Sequence, residues 1–154
     1  MAVPERIEFL SAVLLYSRQP DRMAAFYRDV LGVPLREERH GDDPAHWGCE
    51  LGDVHFAIHP AEDGAETTTR GPVRLAFWVF DLKSFIEYLD KEHGVSTLSP
   101  ILDLGESSLI TVVADPDGNE IELTQMGPNW VAHLDQHRQA GADVIARATP
   151  DRQS

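Results

Sequence analysis

The sequence predicts an α+β fold in which two βαβββ modules bring their curled mixed sheets together as a cup. Three observations predict this fold: an internal repeat, the same order of elements in both copies, and a glycine at the end of each predicted helix. The repeat has an offset of 62 residues, which separates Gly32 from Gly94. Phe26 and Tyr88 stand six residues before these glycines. Such a repeat indicates one supersecondary unit used twice, because a single unit cannot cover its own sheet.

The first copy contains a strand, an amphipathic helix and three further strands. Residues 9–16 form the strand-like run. Apolar residues of the following helix recur at helical spacing, and they are Met23, Phe26, Tyr27, Val30 and Leu31. Gly32 suits the left-handed position that ends a helix. The remaining strands are predicted at residues 34–38, 47–51 and 54–59, and Gly52-Asp53 forms the turn between the last two.

The second copy repeats this order. Its first strand is predicted at residues 73–80, and Asp81 then provides an N-cap. The helix that follows places one apolar face inward, made of Leu82, Phe85, Ile86 and Leu89, and ends at Gly94. Its three later strands are predicted at residues 96–104, 109–114 and 120–124, with the turn Asp-Pro-Asp-Gly-Asn at residues 115–119.

The predicted organisation is one domain with a helical extension. Module one covers residues 8–60, a linker rich in small and polar residues covers 61–71, and module two covers 72–126, so that residues 1–126 form the domain. Gly127-Pro128 interrupts the last strand, and Asn129 is the predicted cap of a helix. That helix carries Trp130, Leu134, Val144 and Ile145 in the extension 127–154, whose last residues we expect to be disordered.

Composition excludes several classes of function. The formal net charge of -13 repels nucleic-acid backbones and anionic membrane surfaces, so neither is an expected partner. No segment approaches the roughly 20 apolar residues of a membrane span, and the first residues lack the layout of a secretory signal. Cys49 is the single cysteine, which excludes an internal disulfide and a cysteine-based zinc cluster. We therefore expect a cytoplasmic protein.

Two segments carry a resemblance to a known family. The sequence Phe-Tyr-Arg-Asp-Val-Leu-Gly-Val at residues 26–33 resembles the first-helix signature of the vicinal-oxygen-chelate superfamily, and residues 115–123 resemble its final hairpin. This superfamily includes glyoxalase I, bleomycin-resistance proteins and extradiol dioxygenases, and the resemblance covers roughly residues 8–126. It implies two modules that form a concave ligand site.

The resemblance also implies four metal-ligand positions, on the inner faces of the first and last strand of each module. In this sequence they fall on Ala12, Ala57, Arg74 and Glu122. Only Glu122 offers an atom that binds a metal, because alanine has no ligand atom and arginine stays protonated. The sequence therefore departs from the metal site that the resemblance implies.

Side-chain alternation predicts which residues share the inner faces with these positions. In module one they are Leu14, Tyr16, His55 and His59, and in module two they are Ala76, Trp78, Glu120 and Thr124. Trp47 lies on a strand whose facing the sequence leaves open. The candidate ligand-binding residues are therefore Tyr16, Trp47, His55, His59, Arg74, Trp78 and Glu122. Aromatic walls with two imidazoles, one guanidinium and carboxylates suit a small planar or aromatic organic ligand, and Arg74 favours one that carries an anionic group or a hydrogen-bond acceptor.

The roles of the charged residues stay open at this stage. Arg74 and Glu122 form either an internal ion pair that keeps the two modules in register, or a set in which Arg74 contacts the ligand directly. His55, His59 and Glu122 are an alternative two-histidine, one-carboxylate metal site. Glu122 and His59 are the candidate general bases if the protein is an enzyme.

Three functional hypotheses follow from these residues. The first is a metal-free protein that binds or sequesters a small molecule, similar to the bleomycin-resistance branch; the net charge favours cationic ligands. The second is a glyoxalase- or isomerase-type enzyme without a cofactor, in which Arg74 is the electrophile. The third is a lyase or dioxygenase with a divalent metal at the alternative site. A homodimer is open as well, because the modules can pair within one chain or between two.

Overall fold

The structure is a computed structural model that describes residues 7, 10–62, 73–129, 131–136 and 138–139. The elements of the first module are β1 (Ala12–Ser17), α1 (Pro20–Ala25), a π-helical segment (Phe26–Val30), β2 (Arg36–Glu38), β3 (His46–Leu51) and β4 (Val54–Pro60). Those of the second module are β5 (Leu75–Trp78), α2 (Leu82–His93), β6 (Leu102–Gly105), β7 (Ser108–Ala114) and β8 (Glu120–Gln125).

The two modules have the same sheet topology. The first sheet has the order β1-β4-β3-β2 and the second the order β5-β8-β7-β6. In each sheet the first strand runs parallel to the last one, and the remaining pairs are antiparallel. A parallel neighbour requires a crossover connection, which the helix of each module supplies. The predicted α+β fold of tandem βαβββ modules is therefore confirmed.

Each sheet has one face packed on helices and one open face. In β4, Phe56 and Ile58 are buried, and in β8 Ile121 and Leu123 are buried. Their alternate neighbours, such as Glu122, are only partly buried. Period-two alternation thus divides the side chains into a core set and a set that faces away from the helices.

The ends of the helices form as their sequences predict. Gly32 and Gly94 have φ angles of 79° and 63°, the left-handed region that favours glycine. The side chain of Asp81 caps α2 by accepting a hydrogen bond from the backbone N–H of Ser84 at 3.0 Å. The π-helical segment was not predicted. There the N–H of Leu31 bonds the carbonyl of Phe26, five residues back, at 3.1 Å. Apolar spacing does not reveal this turn, because Met23, Phe26, Tyr27 and Val30 also fit the i, i+3, i+4, i+7 period of an ordinary α-helix.

A single hydrophobic core spans both modules. The Tyr27 ring lies 5.3 Å from Phe56 of the first sheet and 6.2 Å from Phe77 of the second, measured between ring centroids. Phe56 and Phe77 meet edge to face at 5.9 Å, a favourable arrangement for aromatic pairs. Tyr27, in the helical region of the first module, therefore contacts one aromatic residue from each sheet.

The Tyr27 hydroxyl makes a buried hydrogen bond across the two modules. It donates to Oδ2 of Asp115 at 2.9 Å. The same carboxylate accepts from the backbone N–H groups of Asp117 and Asn119 at 3.0 and 2.9 Å, and from the Asn119 amide at 2.8 Å. Burial raises the pKa of Tyr27 far above its ordinary value, and the nearby Asp115 charge raises it further. Tyr27 thus stays a neutral donor to an aspartate that also organises the last hairpin.

Several boundaries differ from the predicted ones. β6 is much shorter than the predicted run at residues 96–104. The C-terminal helix begins at residue 128, so Asn129 lies inside its first turn and the prediction that it caps the helix is wrong. Gly127 precedes the helix instead. This position requires glycine, because a Cβ there would lie 1.9 Å from the Glu106 carbonyl oxygen. Trp130, Val144, Ile145, the expected disordered end and most of the linker lie outside the described residues.

None of the helices in the described ranges has the length and apolar character that crossing a bilayer requires.

Replacing Tyr27 with phenylalanine tests the bond between the modules. Tyr27→Phe should lower the free energy of unfolding by about 1–3 kcal/mol, because Oδ2 of the buried Asp115 carboxylate loses one of its two donors, the other being the Asn119 amide, while the ring stays in place. Urea unfolding measures the loss. Tyr88→Phe is the matched control: this exposed tyrosine forms a hydrogen bond with His93 at the surface of α2, at 3.0 Å, so its change should stay within about 0.5 kcal/mol. Equal losses in both variants would contradict the assignment.

Candidate functional site

The open face of the first module carries the residues that alternation predicts. Leu14 pairs with Ala57 and Tyr16 with His59 across β1 and β4. The rings of Tyr16 and His59 lie 5.5 Å apart. Tyr16 is 56% exposed, so this face presents an aromatic surface away from the core. Tyr16, His55 and His59 are therefore placed together, as the sequence predicts.

The structure adds three residues to this face that sequence reasoning missed. His46 of β3 stacks on His59 at 4.1 Å with an interplanar angle of 13°. Oε2 of Glu38 lies 3.3 Å from Nε2 of His46, 3.7 Å from Nε2 of His55 and 3.9 Å from Nε2 of His40. We call Glu38, His40, His46 and His55 the histidine cluster. The sequence signal that could have revealed His46 is the alternation of side chains along β3, because His46 and Gly48 stand two residues apart and so lie on the same face.

Contacts within this face orient the ring of His55 and lower the pKa of His59. Nδ1 of His55 lies 2.6 Å from Oε1 of Glu50, which orients the ring and directs Nε2 toward Glu38. Burial lowers the pKa of His59, and the neighbouring His46 and His55 lower it further. His59 is consequently neutral near pH 7.

Trp47 lies on the opposite face of the first sheet. Its indole N–H donates to Oδ1 of Asp21 at 2.9 Å, and the Arg28 guanidinium lies 5.2 Å from its ring centroid. Its strand partner is Ile58, a core residue. Trp47 therefore packs on the helix side and is not among the residues of the open face. Cys49 shares that side, where burial raises the pKa of its thiol.

The open face of the second module contains a cavity of about 330 Å³. Arg74, Glu120 and Glu122 form its polar side, and Leu98, Leu102 and Ile110 contribute apolar surface. The Arg74 guanidinium makes an ion pair with Glu120, and its Nη1 lies 3.8 Å from Oε2 of Glu122. Trp78 belongs to the same face. It pairs with Thr124, which stands two residues after Glu122 on β8 and therefore faces the same side, and it is 41% exposed.

The ion pair does not hold the two modules in register. Arg74 precedes β5, and Glu120 and Glu122 lie on the adjacent β8, so all three belong to the second module. The Arg74 and Glu122 side chains are 48% and 27% exposed. Of the two alternatives left open for Arg74, the ion pair with Glu122 forms, but the role of keeping the two modules in register is contradicted. Tyr27 and Asp115 make the buried polar contact between the modules instead.

The four positions at which the resemblance implies a metal do not fit one. Ala12 and Ala57 have no ligand atom, and the Arg74 guanidinium is paired with carboxylates. Glu122 is left as the single donor, whereas a metal site needs several convergent ligands.

The alternative set of His55, His59 and Glu122 is not brought together either. The two histidines lie on the first sheet and Glu122 on the second. Where side chains are described, the His, Cys, Asp and Glu ligand atoms that lie within 4.8 Å of one another belong to Glu38, His40 and His46.

Solved structures share this architecture. A glyoxalase/bleomycin resistance protein/dioxygenase from Nocardioides is 17% identical with a TM-score of 0.61, over 82% of this chain and 88% of that one. An antibiotic-binding protein from a Streptomyces species is 20% identical with a TM-score of 0.60, over 79% and 98%. Lactoylglutathione lyase from Agrobacterium tumefaciens is 16% identical with a TM-score of 0.54, over 79% and 96%. At these identities the likeness shows the fold alone.

Sequence comparison assigns the family. Among proteins with curated descriptions, none matches this sequence significantly. The family description of the Glyoxalase/Bleomycin resistance protein/Dioxygenase superfamily matches residues 9–123, which include β1 to β7, both module helices and the first four residues of β8. This chain therefore belongs to the Glyoxalase/Bleomycin resistance protein/Dioxygenase superfamily.

Proposed function

We propose that the protein binds a small, cationic, aromatic organic molecule on the open face of its second module, without a metal ion at the four family positions. The observation that carries the proposal is the pairing of Arg74 with Glu120 and Glu122 inside the cavity. It satisfies the guanidinium with carboxylates of the protein itself. An anionic ligand would have to compete with both of them for Arg74.

Charge in the cavity supports a cationic ligand. Two carboxylates face one guanidinium, so the polar side of the cavity keeps a net negative charge. The whole chain carries a formal net charge of -13, which attracts cations toward its surface and increases their rate of encounter. The proposed ligand therefore carries a positive charge that reaches Glu122.

The apolar part of the cavity supports an aromatic ligand. Leu98 and Leu102 are 55% and 56% exposed, and Trp78 on the same face is 41% exposed. Covering such side chains with a planar molecule stabilises the complex by removing apolar surface from water. A volume of about 330 Å³ is within the range of ligand sites for small organic molecules.

A homodimer would enclose the ligand more fully. The open faces of both modules expose large apolar side chains, among them Leu14, Tyr16 and Trp78. If a second copy sets its first-module face against the second-module face of this chain, Tyr16, His55 and His59 join Arg74, Trp78 and Glu122 around one site. We also propose that the protein forms this homodimer and that it is located in the cytoplasm.

An isomerase- or lyase-type enzyme is the second candidate. The observation that favours it is the position of His59, an imidazole on the open first-module face whose ring lies between those of Tyr16 and His46, at 5.5 and 4.1 Å between centroids. The other candidate catalytic residue, Glu122, lies on the second sheet. A reaction that uses both residues therefore requires the two open faces to meet, as in the homodimer. The lactoylglutathione lyase and antibiotic-binding neighbours share the fold with this chain, so the fold is compatible with both functions.

Replacing Glu122 with glutamine tests the charge of the ligand. A thermal-shift screen of planar aromatic cations and their anionic counterparts should show stabilisation by cations, and calorimetry then gives the Kd. Glu122→Gln should weaken the best cation about 5- to 10-fold, roughly 1 kcal/mol, because the net negative charge of the cavity disappears. Glu87→Gln on the exposed face of α2 is the matched control and should leave the Kd unchanged. Preferential binding of anions would overturn the proposal.

Replacing Arg74 with alanine tests whether the guanidinium is neutralised within the cavity. Arg74→Ala should change the free energy of unfolding by less than about 1 kcal/mol, because exposed ion pairs contribute little to stability. The same variant should bind the cation more tightly, since the two carboxylates lose their internal partner. Urea unfolding and calorimetry measure the two effects. Arg22→Ala, which removes the same charge from α1, should not improve binding; weaker cation binding by Arg74→Ala would contradict the proposal.

A further inference from the structure

We propose that the histidine cluster of the first module is a binding site for a divalent transition-metal ion such as Zn²⁺, with Glu38, His40, His46 and His55 as its ligands. This site differs from the family's metal positions at Ala12, Ala57, Arg74 and Glu122. It also lies on a different sheet from the proposed organic-ligand cavity. Within one chain the cluster shares no residue with the lining of that cavity, so the metal proposal does not rest on the proposed function; only the homodimer would bring His55 of one copy toward the organic ligand.

Two buried polar atoms of the cluster have no hydrogen-bond partner. Oε2 of Glu38 accepts no hydrogen bond although three imidazole nitrogens surround it, and Nδ1 of His46 is also unpaired. The His46 side chain is 4% exposed. An unpaired buried carboxylate oxygen is costly, because it has lost water and gained no donor in return. A cation bound among these groups would offset that cost.

Distances within the cluster fit a metal ion. The three nitrogens lie 3.3, 3.7 and 3.9 Å from Oε2 of Glu38. Metal–ligand bonds of about 2.0–2.1 Å place the ligand atoms of a tetrahedral zinc about 3.4 Å apart. The ligand atoms of Glu38, His40 and His46 all lie within 4.8 Å of one another. His55 joins this group through its Nε2, which lies 3.7 Å from Oε2 of Glu38.

The ligand types select the class of ion. Imidazole and carboxylate together suit zinc and its first-row neighbours, whereas calcium and magnesium prefer sites made of oxygen ligands alone. Cys49, the single cysteine, points to the core side of the sheet and adds no thiolate to the cluster. The site is therefore of the three-histidine, one-carboxylate kind.

Neighbouring residues support the ligands. Oε1 of Glu50 lies 2.6 Å from Nδ1 of His55, the carboxylate–histidine arrangement that orients metal-bound imidazoles. Gly48 supplies the space for the carboxylate, because a Cβ at this position would lie 2.4 Å from Oε2 of Glu38. Glu38 and His46 are direct partners in the β2–β3 ladder. Glu38, His46 and His55 are thus held on neighbouring strands of one sheet.

Metal binding to the purified, untagged full chain tests the proposal. After EDTA treatment and dialysis, titration with Zn²⁺ should give about one ion per chain and raise the melting temperature. Co²⁺ should give the visible absorption of a four-coordinate site. Failure of the wild-type chain to bind either ion would overturn the proposal.

Matched variants locate the ion. Glu38→Gln and His40→Ala should each weaken Zn²⁺ binding at least about 10-fold, and Glu50→Gln should weaken it by about 10-fold through the orientation of His55. Glu37→Gln is the control, because Glu37 is exposed and pairs with Trp47 on the other face. His93→Gln controls for the loss of a histidine elsewhere. Binding that survives Glu38→Gln unchanged would place the ion at another site and refute the proposal.

Replacing Gly48 with alanine tests the geometry without removing a ligand. The added Cβ should push the Glu38 carboxylate away and weaken Zn²⁺ binding at least about 10-fold, while the far-ultraviolet circular dichroism stays that of the wild type. The carboxylate can move because it ends a flexible side chain. Unchanged affinity in a folded Gly48→Ala protein would contradict the predicted role of Glu38.

Discussion

The structure depends on one buried contact, the hydrogen bond from the Tyr27 hydroxyl to the Asp115 carboxylate. Tyr27 belongs to the helix of the first module, and Asp115 begins the turn before the last strand of the second. Asp115 also accepts the hydrogen bonds that shape this turn. The Tyr27 ring contacts Phe56 and Phe77, one from each sheet. This residue pair therefore connects the ordered hairpin to both sheets, and the Gln19 side chain of the first module adds part-buried hydrogen bonds to Pro116 and Asp117 of the same turn.

With their helix-side faces joined in this way, the two sheets keep their open faces for ligands, and the two faces differ in electrostatics. On the second face, Arg74 is paired with Glu120 and Glu122. The charge of its guanidinium is therefore compensated within the protein, and the face keeps a net negative charge. On the first face, the Glu38 carboxylate is surrounded by imidazoles without accepting a hydrogen bond. A duplicated module has thus acquired two chemically distinct surfaces. The difference follows from side chains that alternate outward, which the common backbone does not constrain.

Much of the fold could be predicted from local signals. The repeat, the glycines that end the two helices and the Asp81 cap each rely on a few neighbouring residues, so they can be recognised without the tertiary structure. Strand alternation assigned Tyr16, His55 and His59 to one open face, and Arg74, Trp78 and Glu122 to another. This succeeded because the other face of those strands is strongly apolar. The contacts that these residues make were not predictable, since alternation gives a face and not a partner.

The sequence by itself therefore determined the two modules, their helices and the facing of the strands that have one apolar side. Only the tertiary structure decided the facing of β3, where Trp47 and His46 are both plausible on either side of the sheet. It also decided that Arg74 pairs within its own module, and that Glu38, His40 and His46 converge beside His55. The physical reason is the same in each instance. Side-chain partners depend on the register between strands, and long-range hydrogen bonding and packing set that register, not the residues nearby in the chain.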